Sequence, residues 1–179
     1  MSETEHPIYN IKNFFVTGLR NAHSMETQAI QIMSRQVERV TDYPDLEAML
    51  RRHIAESEQQ RTRLEEVIEE LGESYSSVKD AALGVVGNVM AMAHIPASDE
   101  VIKDTMANYA FEHFEIAAYK TLITVGEALG SGDAVSAARA SLAEEERMAA
   151  WIHDHLGSTV LQFMALAKGE GAPRETKVP

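Results

Sequence analysis

Apolar residues return every third or fourth position through four long stretches of this chain, a spacing that an α-helix turns into a single face. In the first stretch Phe15, Leu19, Ala22, Glu26, Ala29, Met33, Val37 and Val40 fall in line, predicting a helix from about Ile8 to Val40. In the second the line is Leu46, Leu50, His53, Ser57, Gln60, Leu64, Val67 and Leu71. The third runs Phe111, Glu115, Ala118, Leu122, Val125 and Leu129, and the fourth Val135, Ala138, Leu142, Glu145, Ala149, Ile152 and Leu156. Ample Ala, Leu and Glu, with few aromatic residues, favour helix over sheet throughout. The expected class is all-α.

Punctuation between the stripes sets the order of the helices. Pro44 pushes the residue before it out of the α region, so the first helix ends before Tyr43, and Asp42 or Thr41 is the expected cap of the second. Gly72 is the expected stop of helix two. A connection from Glu73 to Pro96 follows, with a shorter helix expected over Ser77 to Ala93, and Ser98 then caps helix three. Gly130-Ser131-Gly132 allows only a tight antiparallel reversal, and Gly157 is expected to break or bend helix four before the apolar piece Val160 to Ala167. Two antiparallel hairpins joined by a long helical crossover have the connectivity of a ferritin-like four-helix bundle. The chain length fits one domain, taken as residues 1–169, with 170–179 as a solvated tail.

Charge narrows the partners. A formal net charge of −12 repels phosphate backbones, so neither nucleic acid nor an anionic membrane surface is expected, while metal cations remain open. With no cysteine, disulfides, thiolate metal sites and cysteine nucleophiles are excluded. The polar, acidic start MSETEHPIYN lacks the pattern of a secretory signal, and the most apolar stretch, Ala81 to Ala97, is shorter than the about 20 apolar residues a membrane span needs. A cytoplasmic location is expected. Met90, Met92 and Met106 read as core filler and Trp151 as packing at the core or an interface.

Each of the four stripes is interrupted near its middle, or closely bordered, by glutamate: Glu26, Glu56, Glu115 with Glu112 one turn before it, and Glu145. Glu56 follows Glu26 by the same interval that separates Glu145 from Glu115, so each hairpin carries two carboxylates at matched depth. An unpaired ionised carboxylate in a bundle interior costs several kcal/mol, so a compensating charge is expected. Iron, manganese or a similar cation bridged by carboxylates would supply it. Two alternatives leave the metal out: the glutamates are solvated, or they face inward and pair with Arg61, Arg139 or Lys120 or share protons. His53, one turn before Glu56, is the best nitrogen donor, ahead of His23, one turn before Glu26; His6, His94, His113, His153 and His155 have no such constellation. Tyr119, two turns after Glu112, is placed to hydrogen-bond a ligand carboxylate or to act as a local electron donor, or else it simply packs.

The segments RNAHSMETQA, HIAESEQQRTRLE, FEHFEIAAYKTL and SLAEEERMAAWI together resemble the YciE/YciF family of bacterial ferritin-like stress proteins. The pieces YPDLEAMLRRHI and HIPASDEVIK are closer to the YciE branch. The resemblance implies a rubrerythrin-related bundle, a cytoplasmic homodimer linked to stress, and a proposed role in iron binding or ferroxidase chemistry. Carried over position by position, it matches Glu26, Glu56, Glu112, Glu115 and Glu145 as acidic residues, with His53 and Gln60 fitting the helix-two pattern. One departure stands out. Ferritin-like di-metal proteins carry Glu-x-x-His on two helices, whereas here Gln59 follows Glu56 and Met148 follows Glu145 at that spacing.

The sequence therefore leads to a di-metal (iron or manganese) oxidoreductase or ferroxidase, with Tyr119 as the catalytic residue and Glu26, His53, Glu56, Glu112, Glu115 and Glu145 as ligands. Two alternatives accompany it: a non-enzymatic homodimeric stress protein with a degenerate or metal-free site, and an iron-binding protein without turnover.

Overall fold

The computed structural model describes residues 10–75 and 99–169. Four helices make up these residues: α1 (Ile11–Val37), α2 (Pro44–Glu70), α3 (Glu100–Leu129) and α4 (Gly132–Ala167). Helix α1 is capped by Asn10, whose side chain accepts from the Asn13 N–H at 3.1 Å. It ends at Val37 rather than Val40; the chain turns there, and Val40 still reaches the core from the loop. Helix α2 starts with Pro44 in its first turn, where the missing N–H is no loss, and Asp45 and Glu47 meet the positive end of the helix dipole. Neither Thr41 nor Asp42 caps it: Tyr43 holds that position without a side-chain hydrogen bond.

Glycine ends α2 and α3 as expected. Gly72 (φ 73°) and Gly130 (φ 69°) take the left-handed conformation that other residues resist, and the Glu73 and Ser131 N–H groups reach back to the Ile68 and Gly126 carbonyls. Gly157 does not break the helix: α4, 36 residues long, runs through it to Ala167. A glycine inside a helix lowers stability by only about 1 kcal/mol, which the packing of the helix on either side outweighs.

Pairing across the bundle fixes the topology. Glu26 with Tyr119, Gln36 with Asn108 and Arg39 with Asp104 run α1 antiparallel to α3. Glu56 with Arg147, Gln60 with Glu144 and Arg63 with Ser141 do the same for α2 and α4. Glu73, just past the end of α2, pairs with Arg20 in the N-terminal half of α1, and Tyr75 lies tilted against the His23 ring. Glu100, by contrast, pairs with Arg39 just beyond the end of α1. The two hairpins are thus joined between opposite ends of the bundle, as in a one-crossover four-helix protein. The helix expected over Ser77 to Ala93, the Ser98 cap, Met90, Met92, His6, His94 and the tail 170–179 lie outside the described residues. Met106 is exposed rather than core. No helix among the described residues is long and apolar enough to cross a membrane.

The interior is apolar at both ends and polar in the middle. Phe15, Leu19, Leu64, Ile68 and Leu122 fill one end, and Val37, Leu46, Leu50, Phe111 and Ile152 the other. Between them lies a layer of buried Glu26, His53, Ser57, Gln60, Glu112, Glu115, Ser141 and Glu145, with Tyr119 packed against it.

Candidate metal centre

The helical stripes deliver the polar layer. Because Glu26, Glu115 and Glu145 replace apolar residues in lines that face the core, and Glu112 borders one of those lines, folding the bundle carries their carboxylates inward. Glu26, Glu112, Glu115 and Glu145 are all buried, and so is His53. Ligand atoms of His53, Glu112, Glu115 and Glu145 lie within 4.8 Å of one another. His53 Nε2 stands 3.2 Å from Glu112 Oε2 and 3.3 Å from Glu145 Oε2. These are charge contacts, since neither oxygen lies along the N–H direction of the ring and Nε2 has no directed hydrogen bond.

The remaining predicted residues border that group. Glu26 is fully buried and accepts a hydrogen bond from the Tyr119 hydroxyl at 2.6 Å. Glu56 is not gathered into the four-residue set; its side chain sits at the bundle edge, 14% exposed, with Oε2 3.3 Å from His53 Nδ1. His23 is turned away and bonds Glu65 at 2.9 Å. Arg61, Arg139 and Lys120, the cations that would have neutralised the buried carboxylates, pair instead with Glu65, Glu127 and Glu146. His113 and His153 are exposed beside Tyr109, and His155 stacks on Trp151.

Several residues around the centre have no counterpart in the sequence reading. Arg147 of α4 reaches Glu56 at 3.2 Å, and Arg63 of α2 grips both oxygens of Glu144 at 2.8 Å while Gln60 donates to the same carboxylate. These partners lie more than 80 positions apart along the chain, so no local spacing announces them.

Protonation follows from burial. Loss of water pushes the Glu26 and Glu115 carboxyls well above the usual carboxylate range, and the neighbouring Glu145 charge pushes them further. Burial raises Glu112 to about 8 despite the opposing pull of His53. For Glu145 burial also opposes ionisation, but the imidazole of His53 outweighs it and holds the carboxyl below its ordinary value. His53 resists charging because it is buried, yet Glu112, Glu145 and Glu56 hold it well above the ordinary imidazole value. The His53 contact and the Arg147 guanidinium take Glu56 down to about 2. Burial, then Glu26, keeps Tyr119 a phenol. Burial thus favours the protonated forms of Glu26, Glu112 and Glu115, while the carboxylates around His53 favour its charged form.

The donor set fits a divalent cation. Glu26 Oε2, Glu112 Oε2, Glu115 Oε1, both Glu145 oxygens and His53 Nε2 are buried without a hydrogen-bond partner, a concentration of unpartnered polar atoms that folded interiors avoid. Carboxylates with one imidazole suit iron or manganese better than soft metals.

Residues 10–165 match the family described as a domain of unknown function, DUF892. The chain belongs to this family. Solved structures with the same fold include a protein from Xanthomonas campestris, 25% identical with a TM-score of 0.74, covering 89% of this chain and 99% of that one. YcfI of Rhodopseudomonas palustris, proposed to be a structural protein, is 28% identical with a TM-score of 0.72 and coverage of 83% and 96%. The stress protein YciF of E. coli is 24% identical with a TM-score of 0.72 and coverage of 86% and 99%. DUF892 membership and the YciF-like bundle agree with the family resemblance read from the four helical segments.

Proposed function

We propose that this chain is a carboxylate-bridged metal protein of the bacterial stress response that oxidises Fe(II), with iron or manganese held between its two hairpins. One observation carries the reading: ligand atoms of His53, Glu112, Glu115 and Glu145 gather within 4.8 Å of one another between the apolar ends of the core, and each of these residues has at least one buried polar atom without a hydrogen-bond partner. Glu26, with one oxygen free in the same layer, adds a further donor towards a second ion. Bound there, the metal supplies one-electron redox chemistry with O₂ or peroxide as oxidant. His53 provides the nitrogen donor, Glu145 a carboxylate already ionised, and Glu112 and Glu115 give up protons as cations enter. Tyr119 orients the Glu26 carboxylate through its hydroxyl and stands as the local electron donor. Burial of the whole layer keeps bulk water from the reacting centre.

The stress-response part of the proposal draws on YciF, described as a stress protein. Within the family we place the chain nearer the YciE branch, on YPDLEAMLRRHI and HIPASDEVIK, and we take it to be a cytoplasmic homodimer. The test is anaerobic loading with Fe(II) or Mn(II) followed by metal analysis and admission of O₂. About two ions per chain, the stoichiometry of ferritin-like carboxylate centres, and an O₂-dependent ferric absorption band are expected. A stoichiometry near zero overturns the reading.

A protein without turnover is the second reading, favoured by the protonated forms that burial gives Glu26 and Glu115 and by the charged form of His53. Metal uptake with no ferric band on exposure to O₂ would select it.

A further inference from the structure

The Glu-x-x-His order of ferritin-like centres is inverted in α2: His53 comes first and Glu56 three residues later. The inversion exchanges their places. His53 is the residue that reaches the buried carboxylates, and Glu56 lies on the far side of its ring, where Oε2 accepts from Nδ1. The other oxygen, Oε1, is engaged from outside by two guanidinium groups: Arg52, one turn earlier on α2, and Arg147, across the seam on α4, each at 3.2 Å. The two arginines are 60% and 50% exposed, Glu56 14% and His53 fully buried, so the contacts form a chain from the surface to the centre.

We propose that Glu56 is not a ligand but the positioning residue of His53, held from outside by Arg52 and Arg147 so that Nε2 faces the buried carboxylates. A carboxylate can only accept, so it keeps the proton on Nδ1 and makes Nε2 the nitrogen that gives up its proton as a cation binds. Turning Glu56 inward to ligate would break its contacts with both arginines and leave Nδ1 buried without a partner. This assignment rests on the reading of the cluster as a metal centre, and it makes the α2–α4 seam the side from which that centre is tuned.

The experiment uses full-length protein with Zn(II) as a diamagnetic probe, and compares the wild type with Glu56→Gln, Glu56→Leu and Arg147→Met. Affinity is read by competition with a chromophoric chelator, and the state of His53 by its side-chain ¹⁵N shifts and its Nδ1–H proton signal, with and without Zn(II). Glu56→Leu is expected to weaken Zn(II) binding about 10- to 100-fold and to lose the protected Nδ1–H signal. Glu56→Gln, whose amide oxygen still accepts from Nδ1–H, should restore most of the affinity and keep the signal. Arg147→Met, changed at an exposed position, should fall between the wild type and Glu56→Leu in both readings.

If Glu56 were a ligand, the Gln variant would lose affinity as the Leu variant does, and that result overturns the proposal. An unchanged His53 signal and affinity in Glu56→Leu overturns it as well. Should the wild type bind no Zn(II), Fe(II) or Mn(II) while the metal-free Nδ1–H signal still follows the order wild type, Gln, Leu, the metal reading falls and the positioning role stands. If that metal-free order also fails, both fall.

Discussion

Three buried carboxyls, Glu26, Glu112 and Glu115, bind protons more tightly in the folded chain than in the unfolded one. By linkage, each contributes stability that is complete below the ordinary carboxyl value near 4.5 and is lost as pH rises through the folded value, about 8 for Glu112. His53 acts in the same direction, with stability complete below its ordinary 6.5 and lost as pH climbs through its raised value. Glu56 and Glu145 act oppositely, but their loss sets in only at acid pH. The metal-free protein should therefore melt at a lower temperature at pH 8 than at pH 6. Bound metal should shrink or reverse that difference, because cations replace the same protons. Circular-dichroism melts with and without Mn(II) check this, and a weakly buffered solution should acidify when Mn(II) is added. A flat apo profile across that window would remove the argument for buried, proton-holding carboxyls. Tyr119→Phe belongs to the same scale: it leaves a buried Glu26 without its donor, and urea titration should show a loss of about 1–3 kcal/mol.

Two glycines inside helices give opposite predictions. A methyl at Gly157 would meet nothing within 4 Å, so Gly157→Ala should stabilise α4 by about 0.5–1 kcal/mol through helix propensity. At Gly126 the same methyl would stand 2.8 Å from Val135 Cγ2 and 3.3 Å from the Phe15 ring, where α1, α3 and α4 converge, and Gly126→Ala should lower the melting temperature despite the better propensity. Thermal melts of the two variants decide, and a gain at Gly126 would mean that this end of the bundle yields easily. The contrast also explains what the sequence could convey at this scale. The helices were legible because their apolar periods are long, and Glu26, Glu112, Glu115, Glu145 and His53 because they interrupt or closely border those periods. The continuation through Gly157 was not, because a local breaker was outvoted by packing along the whole of α4. Nor were the hold of Arg147 on Glu56 or the buried Gln36–Asn108 amide pair, which depend on which helices become neighbours. The edge position of Glu56 shows the same limit: its spacing matches that of the buried glutamates, but the side chain finds guanidinium partners first.

At the scale of the molecule, the four-residue cluster draws His53 from the α1–α2 hairpin and Glu112, Glu115 and Glu145 from the α3–α4 hairpin, with Glu26 of α1 bordering it in the same buried layer. A cation bound to both would fasten the hairpins to each other at mid-height, between the two apolar ends of the core. Only the folded bundle assembles those donors, so binding must stabilise it, by about 2.7 kcal/mol when free metal stands at 100 times its dissociation constant. For a chain of this size that corresponds to a rise of roughly 5–10 °C in melting temperature. Glu112→Gln combined with Glu115→Gln removes carboxylates of the second hairpin while keeping their volume. In the metal-free state this variant should be at least as stable as the parent, since two crowded acids are gone, and its melting temperature should no longer respond to metal. Hydrogen exchange should then show metal-dependent protection on the facing turns of all four helices in the parent and none in the variant. Protection confined to one hairpin would mean that the cation is held locally, and the two halves of the bundle would be coupled by their apolar ends alone.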